Sequence, residues 1–187
     1  AASRVLGPDD AFIAMDPATG EIQALVNPDV GVRSVYPPGS TFKLIVAYAV
    51  LDEGLVGPHD EVPCSGTYSP GGTIHPCSVR AGHGQPSIVR ALAESCNVFF
   101  YTQGSRLGAA RMRRAADDFG LLDPTGFDPA EPAGRWPEAL EGERLALAGA
   151  GNLGDLQVTP LSMLVAFSGL VGDGQCHRPW RGEQDRG

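Results

Sequence analysis

The chain begins with two short apolar runs that are separated by four turn-forming residues, PATG. The runs are residues 11–16 (AFIAMD) and 21–26 (EIQALV), and proline and glycine between them favour a reversal of the chain. In the second run, Ile22, Ala24 and Val26 lie at every second position, which places them on one face of an extended strand. We therefore predict a β-hairpin near the N-terminus.

The middle of the chain carries helical patterns. Residues 40–52 (STFKLIVAYAVLD) are apolar on almost every side, follow a Pro-Gly pair and stop at Gly54, which predicts a buried helix. The preceding stretch, 27–39, is rich in proline and reads as an irregular loop. A second helical region covers 86–108, with a predicted interruption at 95–97, where serine and asparagine favour a break.

The last third of the chain alternates between helices and loops. An Arg-rich polar helix is predicted for 109–119, with Gly120 at its end. Four prolines exclude a regular element from 121–142. A final helix is predicted to begin after Thr159 with Pro160 in its first turn and to reach Val171. The polar tail 172–187 is expected to fray. Without repeats or an internal boundary, residues 1–187 are expected to form a single domain.

Charge and hydropathy exclude two classes of partner. The net charge of −8 and the isoelectric point near 4.9 argue against nucleic acid, whose phosphates need a basic surface. The longest apolar run, 44–51, is far below the roughly 18 residues that a membrane helix needs. The sequence shows no signal peptide and starts without Met, so we expect it to be a processed or excised piece.

The chain has four cysteines, for which three complete pairings exist. Cys64 and Cys77 bracket a turn-rich stretch, which makes a disulfide between them the preferred interpretation. A metal site built from Cys64, His75, Cys77 and His83 is the alternative, but the spacing is wider than in most zinc sites, so no metal and no cofactor is expected. Cys96 lies in apolar surroundings and is expected to be a small buried side chain.

Ser40 and Lys43 are the first candidates for chemistry. Their i, i+3 spacing at the start of a buried helix places both side chains on one face. A serine hydroxyl becomes a useful nucleophile when a base removes its proton, and burial turns lysine into such a base by lowering its pKa. Backbone N–H groups at the helix start can stabilise an oxyanion. The alternative interpretation is a helix cap with a solvated lysine.

Ser95 and Asn97 form a second candidate pair, with Cys96 between them. Taken alone, a Ser-x-Asn segment is more typical of a turn or a helix cap than of a catalytic site, because both side chains bond readily to nearby backbone.

Three longer stretches together resemble a known family. They are YPPGSTFK (36–43), HGQPSIVRALAESCNVFFY (83–101) and GNLGDLQVTPLSM (151–163). These three sequences resemble the transpeptidase domain of penicillin-binding proteins, of the high-molecular-weight class B type. That domain belongs to the β-lactamase-like serine acyltransferases. The resemblance implies an α/β fold: an incomplete α/β/α sandwich, mostly helical here, with an N-terminal β-hairpin.

The resemblance also implies residue roles and a substrate. Ser40 would be the acylated nucleophile, Lys43 the base, Ser95 a proton relay to the leaving group and Asn97 a contact to the substrate amide. The chain would then cross-link peptidoglycan stem peptides and bind β-lactams covalently, outside the cytoplasmic membrane (in the periplasm or on the membrane's outer face). The parent protein would be membrane-anchored and would work with other cell-wall synthesis proteins.

The sequence departs from this family in its third motif, Lys-Thr-Gly or a variant with His or Arg first. Lys43 is the only lysine, and no Arg or His is followed by Thr-Gly or Ser-Gly. In the family this motif lies beyond the segment that matches 151–174. One hypothesis is therefore a D,D-transpeptidase segment whose parent chain continues past Gly187. The other is a short non-catalytic homologue that binds peptidoglycan or a protein partner. A smaller departure is residues 152–154, Asn-Leu-Gly, where the family usually has Gly-Gln-Gly, which leaves the geometry of this loop open.

Overall fold

The computed structural model describes residues 5–172 and 174–182, which form four strands and seven helices. Among these residues, no helix has the length and apolar character needed to cross a membrane. The elements in chain order are β1 Phe12–Met15, β2 Ile22–Val26, α1 Pro28–Gly31, α2 Lys43–Asp52, β3 Thr67–Tyr68, β4 His75–Pro76, α3 Ile88–Ala93, α4 Asn97–Leu107, α5 Ala109–Asp118, α6 Gly142–Gly149 and α7 Pro160–Val171.

The fold divides into two compact units. Unit 1 consists of the described parts of Ala1–Tyr36, Ala116–Trp136 and Gln157–Gly187, and unit 2 consists of Pro37–Ala115 and Pro137–Leu156. The prediction that the whole chain is a single domain is not tested by this division and stays a prediction.

Unit 1 contains the predicted hairpin, which is confirmed. Strands β1 and β2 are antiparallel, and Ile13 lies opposite Leu25. The hairpin packs with α7 into an apolar core, because alternate strand positions and one helix face both need burial. The buried members of this core are Ile22, Val32, Leu161 and Val165.

Helix α7 begins and ends as predicted. The Thr159 hydroxyl accepts a hydrogen bond from the backbone N–H of Ser162 at 3.0 Å, and Pro160 occupies the first turn. This side-chain cap satisfies an N–H group that would otherwise lack a partner at the helix start.

The prediction that the tail frays is wrong around Trp180. The backbone N–H of Trp180 donates to the carbonyl of Gly20 at 3.1 Å, and the carbonyl of Trp180 accepts from the backbone N–H of Ile22 at 2.8 Å. The tail therefore pairs with the hairpin edge, which offers unpaired backbone groups to another strand. Residue 173 and residues 183–187, which the prediction also covered, lie outside the described residues.

Unit 2 is built around helices α2, α4 and α6. The predicted helix over 40–52 is confirmed, with a 3₁₀ turn over Gly39–Phe42 leading into α2. Helix α6 was not predicted. It approaches α4 closely at two glycines: a Cβ atom added to Gly104 would lie 2.7 Å from the Cα of Gly149. This contact needs residues without side chains on both helices.

Two further elements of the structure were absent from the prediction. Helix α1 lies in the stretch predicted as a loop, and β3 pairs with β4, with Tyr68 opposite His75. A backbone bridge between Cys64 and Gly84 continues this small ribbon, because each residue's N–H donates to the other's carbonyl. The ribbon and its neighbouring backbone bonds hold the positions of Cys64 and Cys77.

Candidate active site

Ser40 lies on the exposed side of the 3₁₀ turn that leads into α2. The turn is held from the other side by Gly151, whose φ of +73° favours glycine and whose Cβ, if present, would overlap the carbonyl oxygen of Gly39. The structure shows no hydrogen bond from the Ser40 hydroxyl to another described residue. The nucleophile predicted from the sequence is therefore accessible, at the start of a buried helix.

Lys43, the only lysine of the chain, is 1% exposed. Its Nζ donates to the Ser95 carbonyl and to the Ser95 hydroxyl, both at 2.9 Å, and to Asn97 Oδ1 at 2.6 Å. The ring of Phe100 lies 5.7 Å from the same nitrogen. The buried Lys43 thus meets Ser95 and Asn97, both of which lie more than fifty residues further along the chain.

Burial also changes the proton affinity of this lysine. Loss of hydration lowers the pKa of Lys43 from 10.5 to about 8, and the nearby Cys77 and Cys96 oppose this shift. All three hydrogen-bond partners of Nζ are neutral groups, so they do not retain the charge as a carboxylate would. Near neutral pH, a usable fraction of Lys43 is therefore the free amine that can accept a proton.

Residues 94–96 separate α3 from α4, and the interruption predicted at 95–97 is confirmed. Ser95 has a φ of +53°, in the left-handed region that non-glycine residues rarely adopt. Cys96 caps α4, because its Sγ accepts from the N–H of Phe99 at 3.4 Å. The capping role that the sequence allowed for the serine and asparagine thus belongs to the cysteine, and both polar side chains are free to contact Lys43.

The comparisons with known proteins identify the family. The family model described as the penicillin binding protein transpeptidase domain matches residues 11–185. The chain belongs to this family. Stage V sporulation protein D of Bacillus subtilis is 30% identical, over 90% of this chain and 29% of its own length. The D,D-transpeptidase PbpA of Mycobacterium tuberculosis is 27% identical, over 91% of this chain and 42% of its own length.

Solved structures of the family share the fold. The Pseudomonas aeruginosa penicillin-binding protein PBP2, in complex with WCK 5153, matches with a TM-score of 0.82 and 25% identity over 91% of this chain and 48% of its own. The ceftriaxone acyl-enzyme of M. tuberculosis penicillin-binding protein A matches with a TM-score of 0.79 and 25% identity, over 91% and 46%. The predicted family and α/β fold class are confirmed. The chain spans less than half the length of each of these relatives.

The transpeptidase domain carries a second cluster beside Ser95 and Asn97. Four buried side chains place one ligand atom each within 4.8 Å of one another: Cys64, Cys77, His83 and Cys96. His83 Nδ1 lies 3.5 Å from Cys64 Sγ and 3.4 Å from Cys77 Sγ. The Sγ of Cys77 is 3.7 Å from that of Cys64 and 3.8 Å from that of Cys96.

These separations suit a tetrahedral metal ion. With zinc bonds of about 2.3 Å to sulfur and about 2.0 Å to nitrogen, neighbouring sulfurs are about 3.8 Å apart and sulfur and nitrogen about 3.5 Å. Glu94 Oε2 lies 3.8 Å from His83 Nε2, on the side of the ring away from the thiols. A carboxylate near that nitrogen is the usual outer partner of a metal-binding histidine. The four side chains could therefore hold zinc.

The cluster differs from the metal alternative that the sequence suggested. His75 is not part of it, because its Nε2 lies 2.8 Å from Glu143 Oε1. Cys96 takes its place, although it is thirteen residues beyond His83 and had been interpreted as a small apolar side chain. It is indeed buried. The signal that could have found it is its position inside the Ser-x-Asn segment, which the fold must bring to Lys43.

The thiols are distinguished by their surroundings. Burial raises the pKa of Cys96. Burial acts in the same direction on Cys77, but backbone N–H groups of Val98 and Val79 and the thiols of Cys64 and Cys96 outweigh it, so the pKa of Cys77 is lowered. Cys64 and Cys77 are free thiols in this structure. Their disulfide stays a prediction.

Proposed function

We propose that this chain is the acylating part of a peptidoglycan D,D-transpeptidase. The observation that carries the proposal is the buried Lys43 amine, held by Ser95 and Asn97 one helical turn from the exposed Ser40. A buried lysine with a lowered pKa and neutral partners is suited to remove the proton of a serine.

The proposed roles combine these contacts with the family resemblance. Ser40 Oγ attacks the carbonyl carbon of the penultimate D-Ala of a stem peptide, and its proton passes to the neutral Lys43 amine. Ser95, whose hydroxyl bonds to Lys43 Nζ at 2.9 Å, relays a proton to the departing D-Ala amine. Asn97 orients the substrate amide. An amine of a second stem peptide then takes the acyl group from Ser40, which restores the serine.

The relatives support the proposed ligands, partners and location. One similar structure is the ceftriaxone acyl-enzyme of M. tuberculosis penicillin-binding protein A. Another family member, PBP2 of Helicobacter pylori, forms a complex with MreC. We infer covalent capture of β-lactams by this chain, contacts with cell-wall synthesis proteins, and a site outside the cytoplasmic membrane in a membrane-anchored parent. The non-catalytic alternative is not favoured, because all four predicted catalytic residues are present and three of them are already in contact.

Intact mass after incubation with penicillin G tests the proposal. The protein, expressed at the full length that its gene encodes, should gain the mass of one penicillin, and a Ser40→Ala variant should gain none. Thr41→Ser is the matched control, because Thr41 is exposed on the same turn and its hydroxyl donates to the carbonyl of Pro38. Failure of the parent protein to form an adduct, while it remains folded by circular dichroism, would refute the catalytic proposal.

The cysteine cluster favours a second role, and we propose that Cys64, Cys77, His83 and Cys96 bind a structural zinc ion. Three thiolates and one imidazole are a common set for a closed zinc site. Because Cys96 lies between Ser95 and Asn97, a metal bound there would hold the segment that contacts Lys43.

Elemental analysis tests the zinc site without relying on activity. Protein purified without chelator should contain close to one equivalent of zinc, and Cys96→Ser should contain much less. Cys176→Ser removes the one cysteine outside the cluster and should keep the zinc. Equal zinc content in the two variants would show that the metal binds elsewhere.

A further inference from the structure

The loop that follows α6 is folded back on the end of that helix. The backbone N–H of Gly151 donates to the carbonyl of Ala148 at 2.8 Å, and that of Asn152 donates to the carbonyl of Leu147 at 2.9 Å. Helix α6 in turn packs closely on α4 through the glycine contact described above. The loop therefore has a defined place beside α4.

Gly151 joins this loop to the turn that carries Ser40. A Cβ atom on Gly151 would overlap the carbonyl oxygen of Gly39 and would lie 3.1 Å from the Cβ of Phe42. The main chain of the loop thus lies directly against the main chain of the turn. The carbonyl of Ser40 accepts from the backbone N–H of Lys43. A displacement of the loop would therefore remove support from Ser40 and from the start of α2.

Asn152 joins the same loop to α4. Its side-chain N–H donates to the hydroxyl oxygen of Tyr101 at 3.0 Å, although Asn152 itself is exposed. Tyr101 is 3% exposed and lies one helical turn after Asn97. Burial raises the pKa of Tyr101, so its hydroxyl stays neutral and can accept this bond. The bond links the loop to the helix whose first residue contacts Lys43.

The ring of Tyr101 is held by contacts that do not involve Asn152. The centroid of the Tyr68 ring lies 5.6 Å from that of Tyr101, and the His75 ring meets Tyr101 edge-on at 5.9 Å. His75 Nε2 lies 2.8 Å from Glu143 Oε1, which ties this group of rings to α6. A phenylalanine at position 101 would keep these ring contacts and would lose the hydroxyl that Asn152 contacts.

We propose that Tyr101 and Asn152 are positioning residues for acylation: their hydrogen bond keeps the loop against the turn and so places Ser40 relative to Lys43. The two residues act through the loop and not on the substrate, and the proposal rests on the transpeptidase function proposed above. Residue 152 is one of the positions at which the sequence departs from the family, and the glycine that is usual there has no side chain to make this bond.

The strength of one bond sets the size of the expected effect. A hydrogen bond between neutral groups typically changes an equilibrium by a factor of about 2–12, so its loss should slow acylation by about three- to tenfold. A displaced Ser40 slows the reaction of bound penicillin and leaves the binding of penicillin unchanged. The loss should therefore appear in the limiting rate and not in the half-saturating concentration.

Stopped-flow acylation of the full-length protein by a fluorescent penicillin tests the proposal. In Tyr101→Phe and in Asn152→Ala, the limiting rate per folded molecule should fall about three- to tenfold, and the half-saturating concentration should stay at the parent value. The double variant should be no slower than the slower single variant, because both changes remove the same bond. The pH at which the rate reaches half of its plateau should not move, because Lys43 keeps its partners.

Tyr68→Phe is the matched control. The Tyr68 hydroxyl lies 2.9 Å from Ser105 Oγ, on the same helix α4 but near its other end, so this change removes an equivalent hydroxyl without touching the loop. It should be acylated like the parent protein. Hydrogen exchange at the Lys43 amide, which bonds to the Ser40 carbonyl, should become faster in Tyr101→Phe and Asn152→Ala but not in Tyr68→Phe.

Parent-like acylation per folded molecule in either Tyr101→Phe or Asn152→Ala would overturn the inference, because Asn152 would then only satisfy a buried hydroxyl. Losses that multiply in the double variant, a shifted pH midpoint, or an equal loss in Tyr68→Phe would also overturn it. If one single variant does not fold, the other removes the same bond and gives the answer.

The exchange measurement separates this inference from the proposed function. If the parent protein is not acylated at all, the transpeptidase proposal fails. Exchange at the Lys43 amide still decides, in that case, whether the bond between Tyr101 and Asn152 holds the turn. Unchanged exchange in both variants would show that it does not.

Discussion

Two buried ionisable residues, one in each unit, both lose hydration on folding but have different surroundings. Lys43 in unit 2 is 1% exposed, and Glu131 in unit 1 is 6% exposed. Burial shifts both towards their neutral forms, since the pKa of Lys43 falls to about 8 and that of Glu131 rises. The difference lies in what surrounds each of them.

The partners of Glu131 are elements of the fold. Its carboxylate accepts from the Thr125 hydroxyl at 2.7 Å and from the Thr159 hydroxyl at 3.4 Å. Thr159 also caps α7, so the carboxylate joins the loop around Thr125 to the start of that helix. The partners of Lys43 belong to the Ser-x-Asn segment, beside an accessible serine. We therefore interpret Glu131 as a residue that stabilises the fold and Lys43 as a residue that accepts and releases a proton.

Removing the amine of Lys43 should have the largest effect. In Lys43→Met, acylation by penicillin should fall by about 10²–10⁴, because general-base catalysis typically contributes that much. Stopped-flow measurement with a fluorescent penicillin gives the rate, and calorimetry confirms folding. The matched control is Glu131→Gln, which should acylate like the parent. If the two variants are acylated equally slowly, the distinction between a proton-accepting Lys43 and a structural Glu131 is wrong.

The pH dependence should separate the two residues next. Acylation should rise about tenfold per pH unit below pH 8 and level off above it, because Lys43 accepts a proton only as the free amine. The folded pKa is below the unfolded value of 10.5, so the unfolded state binds more protons between about 8 and 10.5. The contribution of Lys43 to the free energy of unfolding should therefore increase as the pH rises through this window.

Lys43→Met, followed by denaturant titration at each pH, provides the comparison. The rise in unfolding free energy between pH 8 and 10.5 should be smaller in this variant than in the parent protein. An acylation rate that does not change between pH 6 and 8 would exclude Lys43 as the base.

Loss of the Glu131 carboxylate should affect stability and leave chemistry alone. Glu131→Ala should lower the free energy of unfolding by about 1–3 kcal/mol, because the buried Thr159 hydroxyl and the half-buried Thr125 hydroxyl lose their acceptor. Acylation per folded molecule should remain at the parent level. Urea unfolding and penicillin labelling of the same samples measure the two quantities. An acylation loss larger than the loss of folded protein would contradict the structural role.

Glu131 should also have the opposite pH signature to Lys43. Its folded pKa lies above 4.5, so the folded state binds the extra proton in the window above that value, and stability falls as the pH rises through it. Glu131→Gln should lack this fall. The free energy of unfolding of the variant minus that of the parent should therefore increase as the pH rises above 4.5. A difference that stays constant would refute the raised pKa.

Exposed charges should matter least. Arg33 bonds to Asp29 and Asp128, both at 2.8 Å, but its side chain is 42% exposed, so water competes for the same groups. Arg33→Ala should lower the unfolding temperature less than Glu131→Ala does, and the loss should shrink further at 1 M salt. A larger loss than in Glu131→Ala would mean that exposure is a poor guide to the value of a charge in this chain.

Local patterns predicted those elements whose residues carry their own signal. The hairpin, α2, the break at 95–97 and α7 follow from alternation, apolar runs and punctuation by proline or glycine. Helix α6 escaped prediction, because glycine stands at both of its ends and its close contact with α4 depends on Gly104. The ribbon of β3 and β4 is only two residues long on each side, too short for a periodic pattern.

The sequence by itself singled out the candidate residues: Ser40 and Lys43 by their spacing on one turn, and Ser95 and Asn97 through the family resemblance of the stretch that contains them. Spacing along a helix is local, so it can be read directly. Only the tertiary structure decided that Lys43 donates to Ser95 and Asn97, that Cys96 replaces His75 beside Cys64, Cys77 and His83, and that Trp180 pairs with the hairpin. These contacts join residues far apart in the chain, and their energies depend on burial, which exists only once the chain has folded.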